Sequence, residues 1–133
     1  AMPRRVLADV ADGERSTAER DAKRLLTRSS LPEPWWNVEV RTLQGRLLGI
    51  ADAWFDEVAL AWEINSYAWH LLPQYYANEI KRTADLTAEG VTVLPVLPTS
   101  LRDDGDRSLA ELETTYAAAG RRPRPPVVAI RRS

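Results

Sequence analysis

The segment ADAWFDEVALAWEINSYAWH, residues 51–70, decides the fold. It contains the second half of one apolar run, residues 47–54, and the whole of another, residues 58–64, and a short connection joins the two runs. Apolar runs of this length around a tight connection predict a β-hairpin. Both runs are apolar at nearly every position, so we expect helices to cover both faces of the sheet. One carboxylate interrupts each run, Asp52 in the first and Glu63 in the second.

The flanking sequence predicts the other elements. Residues 35–43 alternate between apolar and polar side chains and add a strand before the hairpin. Residues 91–97 form a later strand that returns by a crossover and therefore pairs in parallel. Pro95 indicates that this strand ends early or lies partly at an edge. Helices are predicted at residues 16–29, 72–89 and 107–120.

Residue spacing also predicts which faces are buried. In the first helix, Ser16 and Glu19 have the spacing of a capping box. In the first strand, Trp36, Val38 and Val40 are expected to share one face. The helix at residues 72–89 is expected to turn an apolar stripe inward, made of Tyr76, Ile80, Ala84 and Thr87.

These elements give the order α-β-β-β-α-β-α and an α/β fold, a three-layer α-β-α sandwich with a mixed sheet. The 133 residues suit one domain at 16–119, with a disordered or linker segment at 1–15 and an extended proline- and arginine-rich tail at 120–133. Ala1 before Met2 is typical of an expression remnant, as on a segment of a longer protein.

Composition excludes several classes. The net charge of −1 argues against nucleic-acid binding by bulk electrostatics. The sequence has no apolar run long enough to span a membrane, no signal-peptide pattern and no cysteine. A cytoplasmic protein without membrane contact is therefore expected.

The hairpin is expected to bring Asp52 and Glu63 together. With the turn centred on Asp56, the two acids form a same-face diagonal pair roughly 5–8 Å apart. Alternation points Asn65 to the same face. An ionised carboxylate buried alone costs several kcal/mol, so each acid needs a cation or water. A shared Mg²⁺ or Mn²⁺ is one alternative. The other is an arginine for each acid, or solvent.

Four sequence features together resemble a known family. They are the helix beginning STAE, the meander through ADAWFDEVALAWEI, the turn EINSYAWH and the motif EGVTVLPV. This pattern resembles the PD-(D/E)xK nucleases, which have the restriction-endonuclease-like fold. It is most similar to small domains related to very-short-patch-repair endonucleases. Such domains are often C-terminal in actinobacterial proteins, including abortive-infection antitoxins. The resemblance covers about residues 16–103.

The resemblance implies a metal site. Asp52 matches the first metal-binding acid of the family and Glu63 the second. The carbonyl of Ile64 matches a further metal ligand. The implied cofactor is Mg²⁺ or Mn²⁺, which activates an attacking water.

The resemblance also implies supporting residues. Glu19 matches an acid on the first helix, and His70 matches a histidine beside the scissile phosphate. Asn65 stands where the superfamily has a lysine; an amide orients water but supplies no positive charge. Lys81 or its neighbour Arg82 is the candidate substitute cation.

Two functions are therefore expected. The first is Mg²⁺-dependent hydrolysis of DNA by an atypical endonuclease. The second is a weakly active or inactive nuclease-fold module that binds DNA, or regulates, in a toxin–antitoxin or phage-defence protein. A weaker third reading is a protein-interaction domain that binds its partner through Trp35, Trp36 and Trp69 or through the proline-rich tail.

Overall fold

The computed structural model describes residues 3–132. Over this range the chain forms a mixed sheet of five strands in the order β4-β3-β2-β1-β5. The strands are β1 (Trp35–Thr42), β2 (Leu47–Phe55), β3 (Leu60–Ile64), β4 (Thr92–Val96) and β5 (Val127–Ile130). The helices are α1 (Arg4–Leu26), α2 (Tyr67–His70), α3 (Pro73–Ala88), α4 (Pro98–Asp103) and α5 (Gly105–Gly120). None of the helices within residues 3–132 has the length and apolarity that crossing a bilayer requires.

The predicted strand topology is confirmed. β1, β2 and β3 form an antiparallel meander, and β4 pairs in parallel with β3 after the crossover through α3. β4 is an edge strand, as Pro95 indicated. The tail at 120–133 differs from the prediction, because Val127–Ile130 pairs antiparallel with β1. This pairing satisfies backbone groups that β1 would otherwise expose at its edge.

Apolar cores lie on both faces of the sheet. The α1-side core contains Phe55 and Trp62 and packs against α1, α4 and α5. The α3-side core contains Trp54 and Ala61 and packs against Leu86 of α3. Neighbouring strand residues thus enter opposite cores. The chain is a mixed α/β protein whose sheet has helices on both faces, in agreement with the predicted sandwich.

The first helix is longer than predicted. α1 begins at Arg4, so Ser16 lies inside the helix and does not cap it, and residues 4–15 are not a linker. In its C-terminal half, Ala18 and Ala22 are buried. The N-terminal half has a weak apolar stripe, with Val6 about half exposed, and is held through Ala11, which is fully buried. Tertiary packing therefore extends a helix that its own pattern does not predict.

The orientation of α3 is opposite to the prediction. Tyr76 is 46% exposed and Ile80 is 54% exposed, whereas Leu86 is buried. The inward face carries Glu79 and Arg82, because this helix covers a polar part of the sheet. An apolar stripe is therefore left on the surface.

Alternation along β1 reverses at Asn37. This residue has a left-handed φ of 56°. Val38 and Val40 share one face, as predicted, and belong to the α3-side core. Trp36, which was expected on the same face, packs against the α1-side core. Trp35 packs against the α3-side core. The tryptophans at 35 and 36 therefore face opposite sides and do not form one surface for a partner.

Candidate active site

The acid pair lies where β2 and β3 separate. The last backbone-paired residues are Ala53 and Trp62, and Asp52 and Glu63 occupy the next position along the two strands. The N–H of Asp52 donates to Glu63 Oε2 at 2.8 Å, and the N–H of Ile64 donates to Asp52 Oδ2 at 2.7 Å. The register thus places the two acids opposite each other, and not on the predicted diagonal. Each carboxylate satisfies a backbone donor that the sheet leaves unpaired.

Two arginines from opposite helices contact the acids. Arg15 of α1 lies 3.4 Å from Asp52 Oδ1, and Arg82 of α3 lies 3.5 Å from Glu63 Oε1. These distances exceed the 2.7–2.9 Å typical of charge-assisted hydrogen bonds. Within residues 3–132, Glu63 Oε1 has no hydrogen-bond partner although the residue is 1% exposed. One buried oxygen is therefore available to a further ligand.

The environment of Glu63 disfavours its charge. Burial, followed by the repulsion from Asp52, raises the pKa of Glu63 from 4.5 to about 8. The attraction of Arg82 opposes this shift but does not cancel it. Without a further cation, Glu63 is therefore largely protonated at neutral pH.

Arg82 is held in place by the backbone of β2. Its guanidinium donates to the carbonyl of Ile50 at 3.1 Å. Its aliphatic stem packs on Gly49, where an added β-carbon would lie 2.6 Å from Arg82 Cδ. Gly49 therefore leaves the space through which Arg82 reaches Glu63.

Asn65 and His70 lie beside the acid pair. The N–H of Asn65 donates to the carbonyl oxygen of Val96 at 2.9 Å, which fixes Asn65 at the end of β3. Its side-chain oxygen is buried and has no hydrogen-bond partner within residues 3–132. His70 Nε2 lies 3.4 Å from Glu79 Oε2, and Glu79 also contacts Arg82. The structure thus brings both predicted residues near Glu63.

Glu19 and Lys81 are not brought to the acids. Glu19 contacts Lys23 and the side-chain amide of Asn37. Lys81 is exposed and pairs with Asp85 on the outside of α3 at 2.8 Å. Of the two cations considered on α3, the structure therefore supports Arg82.

Sequence reasoning missed Arg15. It lies in the region read as a linker, and no motif marks it. The helical extension of α1 places its guanidinium next to Asp52. The direction in which a polar side chain points cannot be predicted from hydrophobic periodicity when its helix has only a weak apolar stripe.

Two clefts lie beside the arginines that contact the acid pair. The arginine cleft has a volume of about 400 Å³ and is lined by Asp12, Arg15, Ile64, Ser66, Trp69, Tyr75, Asn78, Glu79 and Arg82. The α3–β4 groove has a volume of about 660 Å³, and its polar lining includes Glu63, Asn65, His70, Glu79 and Arg82. Its remaining wall is mainly apolar and includes Tyr76, Ile80, Val93 and Pro95. Glu79 and Arg82 form the boundary that both clefts share.

The donor set fits a hard divalent cation. Asp52, Glu63 and Asn65 offer oxygen atoms, and Mg²⁺ typically uses one or two carboxylates with water and substrate oxygens. Residues 3–132 contain no cluster of three or more acidic, histidine or cysteine ligands. The carboxylates at the two clefts and the acid pair are Asp12, Asp52, Glu63 and Glu79, against the guanidinium groups of Arg15 and Arg82. When all are ionised, the surplus is negative and complements one divalent ion.

Comparisons with protein-family models, curated proteins and solved structures found no match. The family resemblance therefore rests on the sequence motifs alone.

Proposed function

We propose that this chain is a Mg²⁺-dependent phosphodiesterase that acts on DNA. The supporting observation is the buried acid pair at the opening of β2 and β3, where one Glu63 oxygen lacks a hydrogen-bond partner among residues 3–132. A divalent ion stabilises both carboxylates as anions. The resemblance to PD-(D/E)xK nucleases supplies the reaction class.

Asp52 and Glu63 would hold the ion through Oδ1 and Oε1. The other two carboxylate oxygens stay bonded to backbone N–H groups, which fixes both side chains. When bound, the ion lowers the pKa of an attacking water and neutralises phosphate charge. Glu63 must give up its proton on loading, so ion binding strengthens as pH rises.

Arg82 and Arg15 take the role of the missing lysine. Both guanidiniums lie beside the acids, and their long, loose contacts leave donors free for phosphate oxygens. Asn65 orients water with its unpaired side-chain oxygen. His70 lies in the same groove and, held by Glu79, can pass a proton to the leaving oxygen.

Calorimetry tests the metal site. MgCl₂ and MnCl₂ are titrated into the wild type, Asp52→Asn and the control Asp103→Asn, which changes an exposed acid paired only with Arg102. Heat is expected for the wild type and the control and not for Asp52→Asn. Equal heats in all three proteins would refute the site.

Plasmid nicking tests the reaction. The wild type is expected to nick DNA with Mn²⁺ or Mg²⁺. In Glu63→Gln the nicking rate is expected to fall by about 10²-fold or more, because the substituted amide binds the ion poorly. Full activity in Glu63→Gln would assign the cleavage to another site.

A second function has its own supporting observation. Each acid already has an arginine beside it, so the charges can balance without an ion. In this alternative the domain binds DNA or regulates without efficient cleavage. DNA binding by the wild type with no nicking in Mg²⁺ or Mn²⁺ would select it.

A further inference from the structure

A row of aromatic rings lies next to the acid pair. The ring of His70 stacks on Tyr76, with centroids 5.0 Å apart and planes 28° apart. Tyr67 packs edge-on against the ring of His70, and the two ring centroids are 6.2 Å apart. Tyr67 is 63% exposed, so its ring, like that of Tyr76, is open to solvent. This much exposed aromatic surface needs a functional reason.

Two rings of this row share one groove with Glu63 of the acid pair. His70 and Tyr76 line the α3–β4 groove together with Glu63 and Arg82. Beyond the rings, the groove wall continues through Ile80 on α3. A ligand in the groove would therefore meet charged groups, aromatic rings and apolar surface.

We infer that the α3–β4 groove binds the unpaired bases of single-stranded nucleic acid, with a phosphate of the same strand at the acid pair and Arg82. The inference rests on the proposed function and names its substrate class. Exposed rings bind base faces by stacking, at about 1–3 kcal/mol per base. In a duplex those faces are buried against neighbouring bases, so only unpaired bases can use the rings.

The structure disfavours a second copy of the chain as the occupant. β4 is an edge strand, but Pro95 lacks the N–H needed to extend the sheet and blocks strand addition. A protein surface packed over the groove would also bury the charges of Glu79 and Arg82, which are still partly exposed. A nucleic-acid strand instead places its own phosphate beside Arg82.

Fluorescence anisotropy tests the inference. The probes are a labelled oligothymidylate of about 12 nucleotides and a blunt duplex of equal length. Binding is measured in Ca²⁺, which takes oxygen ligands as Mg²⁺ does, and again in EDTA. We expect the single strand to bind at least about tenfold more tightly than the duplex.

The variants separate stacking from general effects. Tyr76→Ala and Tyr67→Ala are each expected to weaken single-strand binding by about tenfold. Tyr76→Phe keeps the aromatic ring and is expected to bind the single strand as the wild type does. Leu71→Ala is the matched control, since Leu71 is 67% exposed beside the rings and carries no ring of its own. It is expected to bind like the wild type.

Three results would overturn the inference: equal affinity for single strand and duplex, unchanged binding in both alanine variants, or a dimer in sedimentation that Tyr76→Ala dissociates. The last would assign the groove to a second copy. Failure of the metal site is a separate result, because calorimetry would then measure the same heat for the wild type and for Asp52→Asn. If Tyr76→Ala weakens single-strand binding in EDTA, base binding in the groove is supported even when the metal site fails.

Discussion

The two ends of the β2–β3 hairpin are built from the same strands in different ways. At the turn end, backbone pairs from Phe55–Leu60 to Ala53–Trp62 close the ladder among buried apolar side chains. At the open end, carboxylates of Asp52 and Glu63 replace the backbone acceptors. The turn end stabilises the fold, whereas the acid end buries charge at a cost. The difference shows that a candidate site can begin one residue beyond an apolar core.

The largest expected effect lies at the turn end. Trp62→Ala removes a side chain that is 1% exposed in the α1-side core. We expect the free energy of unfolding to fall by roughly 3–5 kcal/mol, measured by urea denaturation. Trp69→Ala is the control, because this tryptophan is only partly buried and packs against Tyr75. A loss no larger than the control's would mean that the two ends do not differ as described.

The acid end is expected to make stability depend on pH. The pKa of Glu63 rises from 4.5 in the unfolded chain to about 8 in the fold. Between these values the native state holds a proton that the unfolded state has released. This contribution is therefore fully present below about pH 4.5 and is lost as pH rises towards 8. Over the two pH units from about 5 to about 7, the expected loss is on the order of 2–3 kcal/mol.

Urea denaturation across this pH range measures the slope. Glu63→Gln should remove it, whereas the control Glu111→Gln changes an exposed acid and should keep it. Saturating Mg²⁺ should also flatten the slope, because the proposed ion holds Glu63 ionised. An identical slope in the wild type and Glu63→Gln would contradict the pKa shift.

The hairpin could be predicted because its pattern is local. Apolar runs on both sides of a short polar connection leave few other folds for β2 and β3. The proximity of the acids on adjacent strands also followed from the hairpin. Their direct opposition did not, because the pairs Trp54–Ala61 and Phe55–Leu60 set a register that differs by two residues from the one predicted with the turn centred on Asp56.

The surroundings of the acids could not be predicted for physical reasons. An apolar stripe is normally buried, so Tyr76 and Ile80 were assigned to the core, yet α3 turns Arg82 inward towards Glu63. The pairing of Arg15 with Asp52 depends on tertiary packing that extends α1. Both errors arise where a polar site, and not the core, determines how a helix lies.

The smallest predicted effect concerns the strand beside the acid end. Asn37 falls between the β1–β2 pairs Trp36–Ala53 and Val38–Ala51, at the level of Asp52. Its φ of 56° suits asparagine or glycine, and an alanine there is less stable by about 1 kcal/mol. Asn37→Ala should therefore lower the free energy of unfolding by that amount, while Asn37→Gly should stay within a few tenths.

The control for this prediction is Asn78→Ala, which changes an exposed asparagine on α3, where the backbone is helical. Equal losses in Asn37→Ala and Asn37→Gly would show that the side chain, through its long contact with Glu19, matters more than the backbone. A loss confined to Asn37→Ala would show that the left-handed residue reverses β1 at some cost. That reversal sends Trp36 and Val38 to opposite cores at the level where β2 carries Asp52. The acid end would then depend on β1 as well as on β2 and β3.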